Sequence, residues 1–190
     1  MWQREAKHCP MCSGDLLLAP VGGRDRLRCT GCGFVLYENP ASAAAAVVLN
    51  ERREVLLVRR AFPPYRGSWA LPAGYQEIDE DAPASVRREV AEETGIEVRV
   101  LGYLDHIFVP DDPRRPANVA ILLCEAIGGA LARGGEETEV GWFALDALPA
   151  EIGFGNYERI LSRLADRSRY PESAWNRLGR MLARRDGEER

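Results

Sequence analysis

The sequence predicts an α/β domain preceded by a small cysteine-rich module at the N-terminus. Four of the five cysteines lie within the first 32 residues, whereas Cys124 stands alone in a later apolar segment. From residue 43 onward, segments with the pattern of strands alternate with helical segments. A chain of 190 residues is long enough for one full domain with its own core and one small accessory module.

The composition excludes several classes of protein. Hydrophobic residues make up 46% of the chain and charged residues 28%, so a disordered, collagen-like or disulfide-dense chain is excluded. The net charge of −4 argues against a dedicated DNA-binding protein, which usually carries a basic patch. The longest apolar run, residues 41–49, is too short to span a membrane, and the first residues lack a secretory signal. We therefore expect a cytoplasmic protein with no membrane partner, in which thiols stay reduced.

The cysteines of the N-terminal module have the spacing of a metal site. The pairs Cys9-x2-Cys12 and Cys29-x2-Cys32 are separated by sixteen residues. Two residues between cysteines let both sulfurs reach one ion, and four thiolates satisfy tetrahedral Zn²⁺ without an open position. The pattern therefore predicts a structural zinc ribbon. Because a residue before proline favours extended backbone, we place the boundary at Asn39-Pro40, with the ribbon at 1–38 and the second domain at 39–190.

Five segments of the second domain have the composition of strands, and turn-forming residues bound each of them. They are residues 44–49, 55–59, 98–104, 117–126 and 140–144. The turn 50–53 joins the first two segments as a hairpin, and the proline-rich loop 110–116 separates the third from the fourth. The short segment 69–72, between the loop 63–67 and Gly74, is expected to be extended.

The most strongly signalled helix covers residues 84–94. Asp81 can cap its N-terminus, and Pro83 suits its first turn. Gly95 follows the last helical residue, at the position where a left-handed C-cap is expected. Two further helices are predicted at residues 157–165 and 175–185.

The helix 84–94 concentrates negative charge on one side. Glu89, Glu92 and Glu93 fall at positions i, i+3 and i+4, which lie on one face of a helix, and the preceding loop supplies Glu77 and Glu80. Like charges this close cost stability unless a cation lies among them. Oxygen ligands without His or Cys favour Mg²⁺ or Mn²⁺, which typically bind substrate phosphates as well. The spacing therefore predicts metal-assisted phosphoryl or diphosphate chemistry.

The same segment resembles the signature of the Nudix hydrolase family. Residues 74–96 follow the pattern G-x5-E-x7-R-E-V-x-E-E-x-G-I, which agrees with the Nudix box at every defined position. The resemblance extends over residues 43–148, and a preceding zinc ribbon recurs in one branch of the family. It implies an α/β/α sandwich built on a mixed sheet, with the box forming a loop, a helix and a second loop.

The resemblance also implies roles for individual residues. The implied ligands of Mg²⁺ or Mn²⁺ are the backbone carbonyl of Ala73 or Gly74, Glu77 through water, and the carboxylates of Glu89, Glu92 and Glu93. One of these carboxylates is also a candidate base. Gly74, Glu80, Arg88 and Gly95 are implied to be structural, with Arg88 paired to Glu80. Family members often add a catalytic glutamate from a later loop, and the candidates here are Glu136, Glu137 and Glu139, with Glu137 preferred.

The implied reaction is hydrolysis of the diphosphate bond of a nucleoside diphosphate derivative, with release of a nucleoside monophosphate. The segment Tyr37-Glu38-Asn39-Pro40 after the ribbon is similar to FAD diphosphatases and ADP-ribose pyrophosphatases, which favours those substrates. An NADH pyrophosphatase is the alternative, although residues 102–110 lack the proline-rich marker of that group. Housecleaning of oxidised nucleotides and RNA decapping stay open. A transcription regulator is disfavoured, because residues 149–190 are too few for a winged-helix domain.

Substrate contacts are expected from aromatic and basic side chains. The candidates for stacking on a base are Tyr103, Phe108, Phe154 and Tyr157. The candidates for contact with phosphates are Arg59, Arg60 and Arg66. No nucleic-acid partner is expected from the mixed charges of the ribbon, and a homodimer is expected by analogy with many relatives.

Overall fold

A computed structural model of the chain describes residues 5–111 and 115–165. The predicted helix at 175–185 and residues 112–114 of the proline-rich loop lie outside the described residues. Within the described ranges, no helix is long and apolar enough to cross a membrane.

The N-terminal module contains a three-stranded antiparallel sheet with the order β1-β2-β3. Its strands are β1 (Leu16–Val21), β2 (Arg24–Cys29) and β3 (Val35–Leu36). A small core forms around four buried residues, Cys9, Leu16, Leu27 and Cys29. Because two of these four residues are cysteines, the packing of the module depends on whether their sulfur atoms are free or bind a metal ion.

The second domain is built on a mixed seven-stranded sheet. Its strands are β4 (Ala41–Leu49), β5 (Glu54–Arg60), β6 (Trp69–Ala70), β7 (Ala73–Tyr75), β8 (Ile96–Val109), β9 (Ala117–Gly129) and β10 (Glu137–Ala144). The main order is β10-β5-β4-β9-β8, while β6 pairs with β5 and β7 with β4. The pair β4 and β9 is parallel and the other pairs are antiparallel.

Two helices cover opposite faces of this sheet, α1 (Ala82–Thr94) and α2 (Gly155–Ala165). Side chains alternate between the faces along a strand, so successive residues of β4 belong to different cores. Ala44 and Ala46 pack in the cluster that includes Val86 and Val90 of α1. Ala43, Ala45 and Val47 pack in the cluster that contains Tyr157, Ile160 and Leu161 of α2. This α/β/α arrangement with a mixed sheet confirms the predicted fold class.

All five predicted strands are longer in the structure than the sequence predicts, and β8 and β10 show the physical reasons. Strand β8 continues to Val109. Its pairing with β9 shifts register at three places, which are residues 97–98, 100–102 and 103–105. These irregularities interrupt the alternation of buried and exposed side chains that a sequence pattern relies on. Strand β10 begins at Glu137 instead of residue 140, because Glu137 pairs with Arg60 of β5 within an acidic stretch that has the composition of a loop.

Candidate active site

The segment between β7 and β8 forms the expected loop, helix and turn. Asp81 caps α1, since its side chain accepts a hydrogen bond from the backbone N–H of Ala84 at 2.7 Å. Gly95 ends the helix in the left-handed conformation with φ 70°, and its N–H donates to the carbonyl of Ala91 at 2.9 Å. A side chain at Gly95 would also meet the carbonyl oxygen of Ala130 at 2.5 Å. These local signals fix both ends of the helix that carries the carboxylates.

Arg88 connects the loop to the helix. Its Nε and Nη2 atoms bind the two carboxylate oxygens of Glu80 at 2.7 and 2.8 Å, a bidentate pair. Its Nη1 atom donates to Glu89 at 2.8 Å and to Glu92 at 3.1 Å, and Nη2 also donates to the carbonyl of Tyr75 at 3.1 Å. Hydrogen bonding to Arg88 lowers the pKa of Glu80 to about 2. The pair expected from the Nudix resemblance is therefore present, and Glu80 stays ionised.

The carboxylates of Glu89 and Glu93 lie against the backbone of β7. The Glu89 carboxylate occupies the space that a Cβ atom at position 74 would fill, so this close approach requires glycine there. Glu93 accepts a hydrogen bond from the N–H of Ala73 at 3.1 Å. Glu77 is exposed on the loop, and its own N–H donates to Glu80 at 3.1 Å.

Glu137 enters the same region from β10. Only 4% of its surface is exposed, and its Oε2 atom has no hydrogen-bond partner among the described residues. A Cβ atom at Gly134 would lie 2.6 Å from this oxygen and 2.5 Å from the backbone oxygen of Glu92. The N–H of Gly134 donates to the carbonyl of Glu93 at 3.0 Å. The turn before β10 therefore holds Glu137 close to the end of α1.

The electrostatics of these residues disfavour negative charge on all of them at once. Burial, together with the charges of Glu137 and Glu89, raises the pKa of Glu93 to about 9. Burial also raises the pKa values of Glu89 and Glu137. An all-oxygen donor set of this kind suits a hard divalent cation, whose charge would offset the repulsion. The residues present therefore fit Mg²⁺ or Mn²⁺.

The four cysteines of the N-terminal module converge on one point. Of all the Cys, His, Asp and Glu residues in the described ranges, Cys9, Cys12, Cys29 and Cys32 are the one group whose ligand atoms all lie within 4.8 Å of one another. The sulfurs of Cys9 and Cys32 are 3.7 Å apart and those of Cys12 and Cys29 are 3.4 Å apart, which is too far for disulfides. A four-thiolate set of this geometry fits Zn²⁺. The carboxylates of the described residues do not converge to this degree, and Arg88 binds two of them, Glu89 and Glu92.

A cavity of about 360 Å³ opens beside Ala73 and Gly74. Its charged and aromatic lining residues are Arg60, Tyr75, Arg115, Phe154 and Tyr157. The Arg115 guanidinium lies 3.8 Å from the centre of the Tyr75 ring, and that of Arg60 lies 5.3 Å from the centre of the Phe154 ring. Basic and aromatic groups thus adjoin the carboxylates on one side.

The structure separates the predicted substrate-contact residues into two groups. Phe154 lines the cavity, whereas Arg59, Arg66 and Tyr103 do not. Arg59 instead binds Glu139 at 2.6 Å, and Tyr103 lies on β8 with 65% of its surface exposed. These three side chains therefore lie outside the lining of this cavity, and their contact with a substrate stays a prediction.

Two cavity residues, Tyr75 and Arg115, are not singled out by the sequence. Tyr75 occupies a variable position of the box, and Arg115 lies in the proline-rich loop. No sequence pattern around either position indicates a binding role, because only the tertiary fold brings these two residues to the cavity.

Known proteins resemble this chain over most of its length. The pattern of the NUDIX domain matches residues 39–164. The chain is 34% identical to the ADP-ribose pyrophosphatase of Methanocaldococcus jannaschii over 129 residues, which are 67% of this chain and 75% of that protein. It is 33% identical over 144 residues to the NAD-capped RNA hydrolase NudC of Chromobacterium violaceum, covering 74% of this chain and 52% of that protein. The chain thus spans about half the length of this NudC relative.

A solved structure has the same fold. The crystal structure of a NUDIX hydrolase from Nitrosomonas europaea superposes with a TM-score of 0.77 at 27% identity, over 85% of this chain and 92% of that one. The sandwich and its glutamate-rich loop and helix define a hydrolase that acts on phosphoanhydride bonds. Since the NUDIX match covers more than half of the chain, the chain belongs to the Nudix family.

Proposed function

We propose that the protein hydrolyses the diphosphate bond of a nucleoside diphosphate derivative, with ADP-ribose or FAD favoured, and releases a nucleoside monophosphate. Similarity to the M. jannaschii ADP-ribose pyrophosphatase supports the first substrate, and the segment after the ribbon supports the second. The observation that carries the proposal is a group of three acidic side chains, the buried Glu137 and the partly buried Glu89 and Glu93, whose pKa values are all raised by desolvation.

The proposal includes Mg²⁺ or Mn²⁺ at these carboxylates. Glu89, Glu92, Glu93 and Glu137 would hold the ion, with Glu77 and the backbone of Ala73 nearby. When bound, such an ion shields the phosphate oxygens and makes water more acidic.

The chain's own residues then have distinct tasks. Arg88 keeps Glu89 and Glu92 in position through its Nη1 atom, and Glu80 keeps Arg88 in position. Glu137 is the proposed base, because its Oε2 atom is buried and unpartnered among the described residues and can accept a proton from the attacking water. Burial of these groups also limits the water that competes for their hydrogen bonds.

The four cysteines are proposed to bind one structural Zn²⁺. Four thiolates would fill all the positions of tetrahedral Zn²⁺, so such a site would have no place for a substrate. We propose accordingly that residues 1–38 form a ribbon that stabilises its own fold, and that the chemistry belongs to residues 39–190.

A second candidate is hydrolysis of NADH or of a related dinucleotide, as in the NADH pyrophosphatases. It is favoured by the identity to NudC, whose name describes it as an NAD-capped RNA hydrolase. Both candidates break the same kind of bond, so they differ in the second half of the substrate.

A substrate panel tests the proposal. The protein is incubated with ADP-ribose, FAD, NADH, NAD and 8-oxo-dGTP, with Mg²⁺, with Mn²⁺ and without either, and the products are separated by chromatography. We expect AMP from ADP-ribose or FAD at the highest kcat/KM, and no turnover without a divalent cation. A higher kcat/KM for NADH would replace the first candidate by the second. No turnover of any diphosphate with metal present would overturn both.

A further inference from the structure

The cavity beside the carboxylates has a lining suited to a flat aromatic ring. Among the described residues, none of the fourteen that line it has a carboxylate or amide side chain, and Tyr75 and Tyr157 are the ones that supply side-chain hydroxyl groups. Leu71, Val109 and Val119 supply apolar surface. Among these described side chains, the hydroxyl groups of a sugar would find acceptors only at the two tyrosine oxygens, whereas an aromatic ring would gain apolar contact.

Two arginine–aromatic pairs contribute to the same lining. Arg115 lies over Tyr75, and Arg60 lies over Phe154 while its Nε atom donates to the carbonyl of Pro64 at 2.8 Å. A guanidinium group is planar and stacks on rings, so each pair offers a flat surface with positive charge beside it. Such surfaces suit an aromatic base attached to a phosphate.

The size and position of the cavity limit what it can hold. A volume of about 360 Å³ is near the lower end of the range for ligand pockets, about 300–1,000 Å³. A molecule with two large moieties joined by a diphosphate would therefore place only one of them inside. Ala73 and Gly74 belong to the lining and also contact Glu93 and Glu89, so the diphosphate end of that moiety would face the carboxylates.

We infer that this cavity binds the nucleobase half of the substrate, with the base stacked on the Tyr75–Arg115 pair and the second moiety outside the cavity. The inference rests on the proposed function, and it assigns substrate binding to two residues that the sequence does not single out. It explains how one site can accept diphosphates whose second halves differ.

Product inhibition distinguishes the two orientations of the substrate. AMP represents the half with the base and ribose 5-phosphate the half without it. The variants are Tyr75→Leu, which removes the ring and keeps the backbone carbonyl that binds Arg88, and Tyr103→Leu, a matched control outside the cavity. KM and kcat for ADP-ribose and the inhibition constants of both products are measured for each variant.

We expect Tyr75→Leu to raise the KM for ADP-ribose and the inhibition constant of AMP by about tenfold, the size of a lost stacking contact. The change in kcat should stay within about twofold, because the contact is made in the ground state and the transition state alike. Inhibition by ribose 5-phosphate should not change, and Tyr103→Leu should behave as the wild type. Arg115→Met, which keeps an apolar stem, should shift the same two constants and serves if Tyr75→Leu does not fold.

Three outcomes would overturn the inference. The first is an effect on ribose 5-phosphate with none on AMP. The second is a fall in kcat with KM unchanged, and the third is an equal effect of Tyr103→Leu. If the wild type hydrolyses no diphosphate, calorimetric titration with AMP still decides: Tyr75-dependent binding supports the cavity assignment while the proposed function fails, and no binding of AMP refutes the assignment.

Discussion

Glu137 has a buried carboxylate oxygen for which the described residues provide no hydrogen bond. A group of this kind normally costs stability, so it persists where a ligand or a reaction needs it. Glu136 and Glu139 lie beside it in sequence but are exposed, and Glu139 binds Arg59. The three acids of this stretch therefore have different environments despite their similar sequence positions.

Replacing Glu137 by Gln should lower kcat by about 100-fold or more, the usual contribution of a general base. The reason is that an amide cannot accept the proton of the attacking water, although it fills the same space. Steady-state kinetics with ADP-ribose and a thermal melt measure the two effects. Glu136→Gln is the matched control and should retain wild-type kcat. Equal loss in both variants would show that local charge, and not the Glu137 carboxylate, is what matters.

At this scale the sequence predicts only part of the site. The Nudix pattern leads to Glu89, Glu92 and Glu93, because their spacing on one helix is local information. The sequence analysis prefers Glu137 over its neighbours by resemblance, but which side chain β10 turns inward is seen only in the structure, because no sequence pattern reports it. Tyr103 shows the converse. Its aromatic ring is suited to stacking on a base, but the irregular register of β8 leaves this side chain exposed outside the cavity.

Two glycines determine how closely the elements around the site approach. Gly74 on β7 makes room for the Glu89 side chain, and Gly134 before β10 makes room for the backbone of Glu92 and for Glu137. The obstacle at Gly74 is the end of a flexible side chain, whereas the obstacle at Gly134 includes backbone. The two positions should therefore respond differently to the same substitution.

Gly74→Ala should displace the Glu89 carboxylate and lower kcat strongly, with little change in the melting temperature. Gly134→Ala should lower the free energy of unfolding by about 1–3 kcal/mol, because a Cβ atom 2.5 Å from the Glu92 oxygen forces a backbone shift. Denaturant unfolding and kinetics on both variants separate these effects. A Gly74→Ala enzyme with wild-type kcat would contradict the placement of Glu89.

The limits of α1 follow from local chemistry, which explains why the sequence predicts them well. The cap at Asp81 and the left-handed Gly95 act within a few residues of the helix. The limits of β8 and β10 depend on partners that are far away in sequence. Glu137 enters β10 because Arg60 lies opposite it, and β8 continues to Val109 because Ala117 pairs with it.

The stability of the whole molecule should depend on pH when Mg²⁺ and Mn²⁺ are absent. Burial raises the pKa of Glu93 from 4.5 to about 9, so the folded state keeps a proton that the unfolded chain releases. The stability from this group is complete below pH 4.5 and is lost as the pH rises through about 9. We expect the melting temperature to fall from pH 5 to pH 9 in buffer free of both ions.

The pH dependence has its own controls. Glu93→Gln should reduce the slope and leave the part due to the raised pKa values of Glu89 and Glu137, whereas Glu136→Gln should keep the full slope. Adding Mg²⁺ should raise the melting temperature most at high pH, since the cation binds the deprotonated carboxylates. A melting temperature that rises with pH, or an unchanged slope in Glu93→Gln, would contradict this account.

The cysteine cluster gives a prediction about the whole chain. We expect the wild type to contain about one zinc ion per chain and Cys29→Ser to contain none, with a destabilised N-terminal module, whose small core includes Cys29. Atomic absorption measures the zinc, and circular dichroism follows unfolding. Cys124→Ala is the control: Cys124 is buried in the second domain, so its loss should cost stability there and leave zinc content unchanged. Wild-type protein that is fully stable without zinc would refute the structural site.

The alanines of β4 set the spacing on which the acidic site depends. Ala44 and Ala46 are fully buried beneath α1, and Ala44 pairs with Gly74 across the sheet. Methyl-sized side chains therefore fix how far the helix stands above the strand that carries Gly74. A bulkier residue at 44 or 46 would widen that gap and draw Glu89 and Glu93 away from β7 without touching either. Side-chain volume in a fully buried layer thus sets the spacing between the acidic helix and β7.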